Sequence, residues 1–528
     1  MSRRIQVIVS LLFLAFFGVI VRIGLLTVDE SVKLVGQTQG ARTITVAELR
    51  GTIYDRHLAT LVNSSDAYYA TLIPEERMLH QLGAAIDSTE YNRVKAAIGS
   101  GSPILVKLKR TLSATTYLRV YQTKSRYDSH TLAPHLLGYV SGPNGRGASG
   151  IEKAYDAVLS QYTGLITATY PMNGHGTYTT GDEVEVINTS YKSAGGVVLT
   201  LDSSIQRQVE EILSSSVNKG AAVVMKPNGE ILAMSSFPDF HPDTVSDNLN
   251  RTDGALINRT LSVYDCGSVF KIVTALSALE NGVSPQQDYE CAGSLTVDNN
   301  VFHCHNRSGH HTLTMEEAFA QSCNLYFIQL AREIGAEEML KMTDRLGLTS
   351  ALPFADSLTT ADPVIPPPKD LSADAALANF SFGQGRLLLS PLHIARLTAA
   401  VVNDGILPNV TSVIGTIDEY KQWTTKSERG GEAVFSADFA SELRHMMELV
   451  VSEGTGRRAK PDHGEAAGKT GTAETGRLQD GRVAINSWFT GYYPAEDPQY
   501  VITVLVEDAE DRQKDASEIF CEIINKIG

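Results

Sequence analysis

A basic surface is the first feature that this sequence lacks. Its 60 acidic residues outnumber its 45 lysines and arginines, which leaves a formal net charge of −15 at pH 7. No stripe of lysine and arginine runs along any segment, although binding to nucleic-acid phosphates needs such a surface. The composition therefore excludes nucleic acid as a partner.

Cysteine is also scarce, with five in 528 residues. The odd number and the wide spacing exclude a disulfide scaffold. Internal repeats and low-complexity tracts are absent as well. With 43% hydrophobic and 20% charged residues, the chain has the composition of an ordinary globular protein. Its length predicts two or three folded units.

Long apolar runs are missing from all but one segment. Residues 5–28 form a largely apolar run whose one charged residue is Arg22, and a run of this length can cross a bilayer. Two arginines precede it and two acidic residues follow it, which predicts a cytoplasmic N-terminus. No A-x-A-like cleavage site follows, so an uncleaved anchor is favoured over a signal peptide. We expect a single-pass protein with a cytoplasmic stub at 1–4 and everything after the anchor outside the cell.

The segment 193–528 has the pattern of an α+β domain. A strand at Val197–Leu201 leads into a helix that Asp202 or Ser203 can cap, and GAAVVMKPNGEILAMSS is typical of a hairpin. Helical patterns then dominate, until three strands in succession and a helix near Ala516 to Ile527 end the chain. Because strands lie at both ends, we expect the terminal segments to share one antiparallel sheet.

The segment GSVFKIVTALSALENG, residues 267–282, begins a helix with a serine and a lysine. Ser268 and Lys271 are three positions apart and share one helix face. The neighbours of Lys271 are apolar, and burial lowers the pKa of a lysine toward neutrality. A neutral amine beside a hydroxyl is a general base beside a nucleophile. The alternative is a helix start whose lysine extends to solvent.

Two further motifs contain hydroxyl groups. Ser322 and Asn324 lie within the apolar helical segment EEAFAQSCNLYFIQLA, where they either relay a proton or satisfy local backbone groups. The segment 469–472, Lys-Thr-Gly-Thr, offers a cation, two hydroxyls and a glycine that lets a substrate approach a strand edge. Such an edge can pair with an extended peptide and hold its carboxylate. An ordinary edge strand that contains a glycine is the alternative.

In this order, S-x-x-K, S-x-N and K-T-G form the motif set of penicillin-binding proteins and serine β-lactamases. The chain resembles a class B penicillin-binding protein, a monofunctional transpeptidase of bacterial cell-wall synthesis. Stretches similar to that family also occur outside the motifs: RGTIYDR (50–56), HLLGYV (135–140), GASGIEKAYDAVLS (147–160), FGQGRLLLSPLHIARLTAAVVNDG (382–405) and SWFTGYYP (487–494). The resemblance implies an elongated N-terminal pedestal at 29–192. A penicillin-binding, serine β-lactamase-like transpeptidase domain, with an antiparallel sheet flanked by helices, follows at 193–528.

The resemblance also implies a catalytic role for five residues. Ser268 would attack the penultimate D-alanine carbonyl of a stem peptide while Lys271 accepts its proton. Backbone N–H groups of Ser268 and Thr472 would form the oxyanion hole. Ser322 with Lys469 would pass a proton to the departing D-alanine.

The remaining motif residues would bind the donor peptide. Asn324 would hold its amide, while Thr470 and Thr472, with Gly471 between them, would bind its carboxylate. An amine of a neighbouring stem peptide would then resolve the acyl-enzyme, and β-lactams would acylate Ser268. The resemblance implies a bacterial cytoplasmic-membrane protein that needs no cofactor for catalysis and works with a lipid II glycosyltransferase. The alternatives are a carboxypeptidase or β-lactamase-type hydrolase, or a catalytically weak scaffold.

A group of cysteines and histidines lies between the first two motifs. In CAGSLTVDNNVFHCHNRSGHH, Cys291, Cys304, His310 and His311 fall within about twenty residues, and two thiolates with one or two imidazoles can hold a structural zinc ion. The same cysteines can instead be free thiols on adjacent strands. A Cys291–Cys304 disulfide is the third alternative, which an extracytoplasmic location permits.

Overall fold

The structure is a computed structural model that describes residues 3–28, 40–141, 145–179, 183–426, 430–479, 481–509 and 514–528. The chain forms two compact units. The first comprises residues 1–50, 63–126 and 163–193, and the second comprises 51–62, 127–162 and 194–528. Two segments that precede residue 193, namely 51–62 and 127–162, therefore belong to the second unit.

The N-terminal helix spans Arg3–Val28. Its central stretch, Gln6–Leu25, is 20 residues long with a mean hydropathy of 2.5, and it is exposed throughout. Within the described ranges it is the one helix long and apolar enough to cross a membrane. The acidic residues that follow the predicted anchor, at 29 and 30, lie outside the described residues.

The first unit contains two three-stranded antiparallel sheets. In one sheet, Gly164–Pro171 lies between Ala41–Leu49 and Glu185–Asn188; in the other, Ser65–Leu72 lies between Ile104–Leu108 and Leu118–Ser125. The helices Glu76–Leu82 and Ser88–Ala97 pack their apolar side chains on the second of these sheets.

The second unit is built on a five-stranded antiparallel sheet. In spatial order its strands are Ile231–Phe237, Gly220–Met225, Tyr500–Val506, Arg482–Tyr493 and Ala467–Gln479. The hairpin from the start of the unit thus pairs with strands from its end. The predicted α+β fold, with terminal segments that share one sheet, is confirmed.

Helices cover both faces of this sheet because its strands are buried on both sides. Ser203–Ser216 and Ala516–Ile527 pack on one face, and Asp202 caps the first of them by accepting hydrogen bonds from two N–H groups. Pro391–Val402 packs on the other face, beside the largely buried helix Lys271–Glu280. The remaining longer helices are Met315–Ala320, Asn324–Ile334, Ala336–Arg345, Asp374–Ser381 and Ala437–Ser452.

Smaller elements complete the second unit. A four-stranded sheet contains, in order, Thr52–Tyr54, Gly196–Leu199, Val413–Ile417 and Trp423–Lys426. Two short strand pairs lie near the catalytic motifs: Tyr289–Cys291 with His311–Leu313, and Ser294–Val297 with Asn300–His303. These pairs carry Cys291, His303 and His311, and the loop between Asn300–His303 and His311–Leu313 carries Cys304, His305 and His310.

Candidate active site

The nucleophile candidate and its lysine occupy one continuous helical segment. Ser268 lies in a 3₁₀ turn, Gly267–Phe270, which continues into the helix Lys271–Glu280. Ser268 is half-buried and lines a cleft of about 870 Å³, whereas Lys271 is fully buried. The alternative in which this lysine extends to solvent is therefore wrong.

The three sequence motifs meet at the hydroxyl of Ser322. Lys271 Nζ donates to the carbonyl oxygen of Ser322 at 2.7 Å, to Asn324 Oδ1 at 2.7 Å and to Ser322 Oγ at 3.2 Å. Lys469 Nζ donates to the same Ser322 Oγ at 3.0 Å. Ser268 Oγ has no hydrogen bond to any described residue. The structure thus joins Lys271, Ser322, Asn324 and Lys469 directly, with Ser268 beside them in the cleft.

Burial changes the acid–base chemistry of both lysines. Burial lowers the pKa of Lys271 to about 7. Burial, with a smaller contribution from the charge of Lys271, holds the pKa of Lys469 well below its usual range. Because two buried ammonium groups beside one hydroxyl would each lose their hydration, the site favours at least one neutral amine. A neutral amine can accept a proton from a serine.

Ser322 adopts a backbone conformation that is rare for serine. Its φ is +52°, at the junction between the helices Met315–Ala320 and Asn324–Ile334. A left-handed conformation at a residue other than glycine costs on the order of 1 kcal/mol or more and persists where the surroundings impose it. Here it directs the Ser322 hydroxyl between the two amines.

The Lys-Thr-Gly-Thr segment lies in Ala467–Gln479, an edge strand of the five-stranded sheet. Thr470 and Thr472 line the cleft beside Ser268. Gly267 has φ +55°, and a Cβ on it would lie 2.5 Å from the carbonyl oxygen of Thr472. Only glycine therefore lets the turn that carries Ser268 approach this strand so closely.

Thr455 is a residue of the cleft that sequence reasoning missed. Its Oγ1 lies 2.7 Å from Thr470 Oγ1, and its N–H donates to the carbonyl oxygen of Ala320 at 3.1 Å. It thereby connects the helix end before Ser322 with the edge strand. The sequence signal that could have identified Thr455 is the glycine before it. A Cβ on Gly454 would lie 2.2 Å from the carbonyl oxygen of Ala320, so a glycine at this position indicates a close approach of two segments.

Three thiols and one imidazole converge directly behind the S-x-N motif. One ligand atom each from Cys291, Cys304, His310 and Cys323 lies within 4.8 Å of the others. His310 Nδ1 is 3.5 Å from Cys291 Sγ and 3.4 Å from Cys304 Sγ, and Cys304 Sγ is 3.9 Å from Cys323 Sγ. Three cysteines and one histidine are a common ligand set of structural zinc sites. We call these four residues the thiol cluster.

One predicted ligand in this region is wrong, and one of the alternatives is excluded. His311 is not a member of the thiol cluster: its side chain is exposed, although the residue lies opposite Cys291 in a strand pair. Cys323, from the S-x-N motif itself, supplies the fourth group instead. All five cysteines are free thiols, so the Cys291–Cys304 disulfide is also excluded.

Comparison with known proteins places the second unit in a family. Residues 220–525 match the model of the penicillin-binding protein transpeptidase domain, and this range contains all three motifs. Stage V sporulation protein D of Bacillus subtilis is 28% identical in a match that covers 98% of this chain and 84% of the relative.

Two other relatives carry names that state an activity. Peptidoglycan D,D-transpeptidase PbpA of Mycolicibacterium smegmatis is 29% identical, over 80% of this chain and 86% of the relative. Among solved structures, the D,D-transpeptidase domain of a peptidoglycan glycosyltransferase from Eggerthella lenta is similar, with a TM-score of 0.66 and 25% identity. That match covers 91% of this chain and 98% of the other.

Proposed function

The chain belongs to the penicillin-binding protein transpeptidase domain family, and on that premise we propose that it cross-links peptidoglycan stem peptides as a serine-type D,D-transpeptidase. The observation that carries the proposal is the position of the Ser322 hydroxyl, 3.2 Å from the Lys271 amine and 3.0 Å from the Lys469 amine. Two buried amines joined by one hydroxyl form a route for the proton that acyl transfer moves.

Acylation begins with the donor peptide along the edge strand. Its terminal carboxylate binds at Thr470 and Thr472, and Ser268 Oγ attacks the penultimate D-alanine carbonyl while the neutral Lys271 amine takes the serine proton. The N–H groups of Ser268 and Thr472 stabilise the oxyanion. As the C–N bond breaks, Ser322 Oγ gives its proton to the departing D-alanine amine.

Deacylation reverses these proton transfers. First, the Lys271 ammonium restores the proton of Ser322 Oγ, which Lys469 Nζ also contacts, and becomes neutral again. The amine of a second stem peptide then attacks the ester carbonyl and gives its proton through Ser322 Oγ to Lys271. As the ester C–O bond breaks and the new amide forms, the Lys271 ammonium returns that proton to Ser268 Oγ. A β-lactam acylates Ser268 in the same way, but its former leaving nitrogen stays tethered to the acyl group. The adduct therefore persists.

Mass spectrometry of the intact full chain in detergent tests this proposal. Brief incubation with a penicillin should add one adduct to the wild type, none to Ser268→Ala, and an adduct at a much lower rate to Lys271→Ala. Ser277→Ala is the matched control, because this serine is buried in the same helix and, among the described residues, its hydroxyl donates a hydrogen bond only to Val273 O. Continuous turnover of a chromogenic β-lactam would instead identify a hydrolase, and absence of any adduct would contradict the proposal.

We also propose that the thiol cluster holds a structural zinc ion. The three thiolates and one imidazole match the ion's ligand preference, and the ion would fix the S-x-N motif to the strand pair behind it. Elemental analysis of the purified full chain should find one zinc per protein, and Cys291→Ser should lose it. Cys521→Ser, a change outside the cluster, should keep it. A wild type without metal would contradict this assignment.

The apolar helix supports a membrane anchor with the N-terminus in the cytoplasm. Two arginines at its start favour this orientation, and a lipid II glycosyltransferase of the same membrane would supply the glycan strands. External protease should then digest the transpeptidase domain in intact spheroplasts. Protection of the domain from that protease would contradict the proposed orientation. Failure of the protein to co-purify with any lipid II polymerase would contradict the proposed partnership.

A further inference from the structure

One arginine in the catalytic cleft has no role in the mechanism above. Arg307 lines the cleft that also contains Ser268, Ser322 and Thr470. It lies in the loop between Cys304 and His310, two members of the thiol cluster. Its side chain is exposed to the cleft and to solvent. A permanent cation therefore faces the space where two peptides react.

The loop holds the backbone of Arg307 in a defined position. Asn306 Nδ2 donates to the carbonyl oxygen of Gly309 at 2.8 Å, and the N–H of Ser308 donates to Asn306 Oδ1 at 3.1 Å. A Cβ on Gly293 would lie 2.2 Å from the carbonyl oxygen of Arg307, so the loop is packed closely against the neighbouring strand end. The base of the Arg307 side chain is fixed even though its guanidinium is exposed.

No described carboxylate lies within ion-pair distance of Arg307. Two other exposed arginines of the second unit do have such partners: Arg345 pairs with Glu280, and Arg386 pairs with Asp370 at 3.0 Å. A guanidinium in a substrate cleft without a carboxylate of its own is suited to bind one on the ligand, because its planar fork of donors matches a carboxylate.

The terminal carboxylate of the donor is assigned to the other wall of the cleft. It binds at Thr470 and Thr472 on the edge strand, whereas Arg307 belongs to the wall of the S-x-N motif, to which Cys304 connects it through its 3.9 Å contact with Cys323. The edge strand also carries Glu474, which lines the cleft and repels a second carboxylate. The charges favour a second anionic group on the Arg307 side.

Resting on the proposed function, we propose that Arg307 binds a carboxylate on the side chain of a stem-peptide diamino acid. The enzyme would then select peptides whose diamino acid is a dicarboxylic acid over those in which this carboxylate is amidated or missing. Both the donor and the acceptor peptide can carry this group, and the shared chemistry is a side-chain carboxylate near the reacting bond.

The test compares free-acid and amidated forms of one stem peptide on the full chain in detergent. In the donor arm, release of D-alanine is measured from pentapeptides that contain diaminopimelate or its side-chain amide. In the acceptor arm, the donor has no second carboxylate, and aminolysis is measured with tripeptides that contain either form. The variants are Arg307→Gln, Arg307→Lys and, as a matched control outside the cleft, Arg386→Gln.

The wild type should prefer the free acid by about tenfold in kcat/KM in at least one arm, the scale of one charge-assisted hydrogen bond. Arg307→Gln should reduce that preference to about twofold or less, Arg307→Lys should keep part of it, and Arg386→Gln should keep all of it. The arm that shows the preference identifies whether Arg307 binds the donor or the acceptor peptide.

Two results would overturn the inference: no preference of the wild type in either arm, or an unchanged preference in Arg307→Gln. The penicillin adduct on Ser268 is measured on every sample. A wild type that forms no adduct would contradict the proposed transpeptidase itself, so the two failures are distinguishable.

Discussion

The two edges of the five-stranded sheet differ in what their main chain faces. At one edge, Ala467–Gln479 pairs with a neighbouring strand on one side, and residues such as Thr470 and Thr472 face the cleft on the other. One of its three glycines, Gly471, leaves the strand without a side chain between Thr470 and Thr472. This edge can receive an extended peptide as one more strand.

The opposite edge, Ile231–Phe237, is closed by a side chain. The N–H of Met234 donates to Gln206 Oε1 at 2.8 Å, and the carbonyl oxygen of Met234 accepts from Gln206 Nε2 at 3.1 Å. Gln206 is fully buried and takes the place of a strand partner. One glutamine on a packed helix thus blocks an edge that would otherwise attract another chain.

Each edge also has a buried titratable group behind it. Lys271 lies near the open edge with its pKa lowered to about 7. Glu210, which accepts a hydrogen bond from Gln206, lies near the closed edge, and burial raises its pKa to about 7. One edge of the sheet is thus left free beside the candidate active site, whereas the other edge is capped by a buried side chain that stabilises the fold.

Among substitutions at the two edges, the largest expected effect on acylation comes from adding one methyl group to the open edge. A Cβ on Gly471 would lie 3.0 Å from the carbonyl oxygen of Cys266 and 3.1 Å from Trp488 Cβ, so Gly471→Ala should displace the strand from the turn that carries Ser268. The contacts must give by a few tenths of an ångström. We therefore expect the rate constant of penicillin acylation to fall about tenfold, less than the roughly 100-fold loss that a displacement of about 1 Å can cause. Gly174→Ala, where a Cβ has no neighbour within 4 Å, is the control. An unchanged rate in Gly471→Ala would show that the edge tolerates a side chain.

Removing the cap of the closed edge should destabilise the protein without slowing acylation. Gln206→Leu leaves the N–H and the carbonyl of Met234 without partners, which costs about 2 kcal/mol, and should lower the melting temperature. Gln208→Leu is the matched control, because Oε1 of Gln208 has no hydrogen-bond partner among the described residues. Acylation per folded molecule should match the wild type. A slower rate would mean that the two edges are coupled.

The pH profile of acylation should report the lysines at the open edge. The general base must be neutral, and burial lowers the pKa of Lys271 to about 7. The acylation rate should therefore rise about tenfold per pH unit below this value and level off above it. Stopped-flow measurement of the acylation rate from about pH 5.5 to about pH 9 provides the check. A rate that keeps rising to the ordinary lysine pKa would contradict the assignment.

The smallest effect concerns stability and pH at the closed edge. Burial raises the pKa of Glu210 above its unfolded value, so the folded state favours the protonated carboxyl and loses stability as pH rises from about 4.5 through about 7. The melting temperature should fall over this range by an amount worth about 1 kcal/mol, given partial exposure. Glu210→Gln should remove that part of the pH dependence. If the melting temperature changes equally with pH in the wild type and in Glu210→Gln, a group other than Glu210 causes that dependence.

Much of this site was predictable because its parts are short motifs with local physical causes. The apolar neighbours of Lys271 predict its burial, and the alternation of strands and helices predicts the sheet that unites both ends of the second unit. Asp202 caps its helix as expected. The family resemblance adds the catalytic roles, which spacing alone cannot assign and which remain proposals.

Other features could not be predicted because they depend on contacts between distant segments. Cys323 joins the thiol cluster in place of His311 because the S-x-N motif packs against the loop that carries Cys304, a contact between segments that no local pattern indicates. Thr455 joins the site through a hydrogen bond to Thr470. The placement of 51–62 and 127–162 in the second unit likewise depends on tertiary packing.

The sequence by itself determined the nucleophile segment, the order of the three motifs and the five strands of the sheet, since local periodicity and turn residues set each of them. Only the tertiary structure decided that the Ser322 hydroxyl lies between two amines, and which sheet edge is open. It also decided which four groups form the thiol cluster. These outcomes depend on distances between segments that are far apart in the chain, which close packing fixes and local patterns do not.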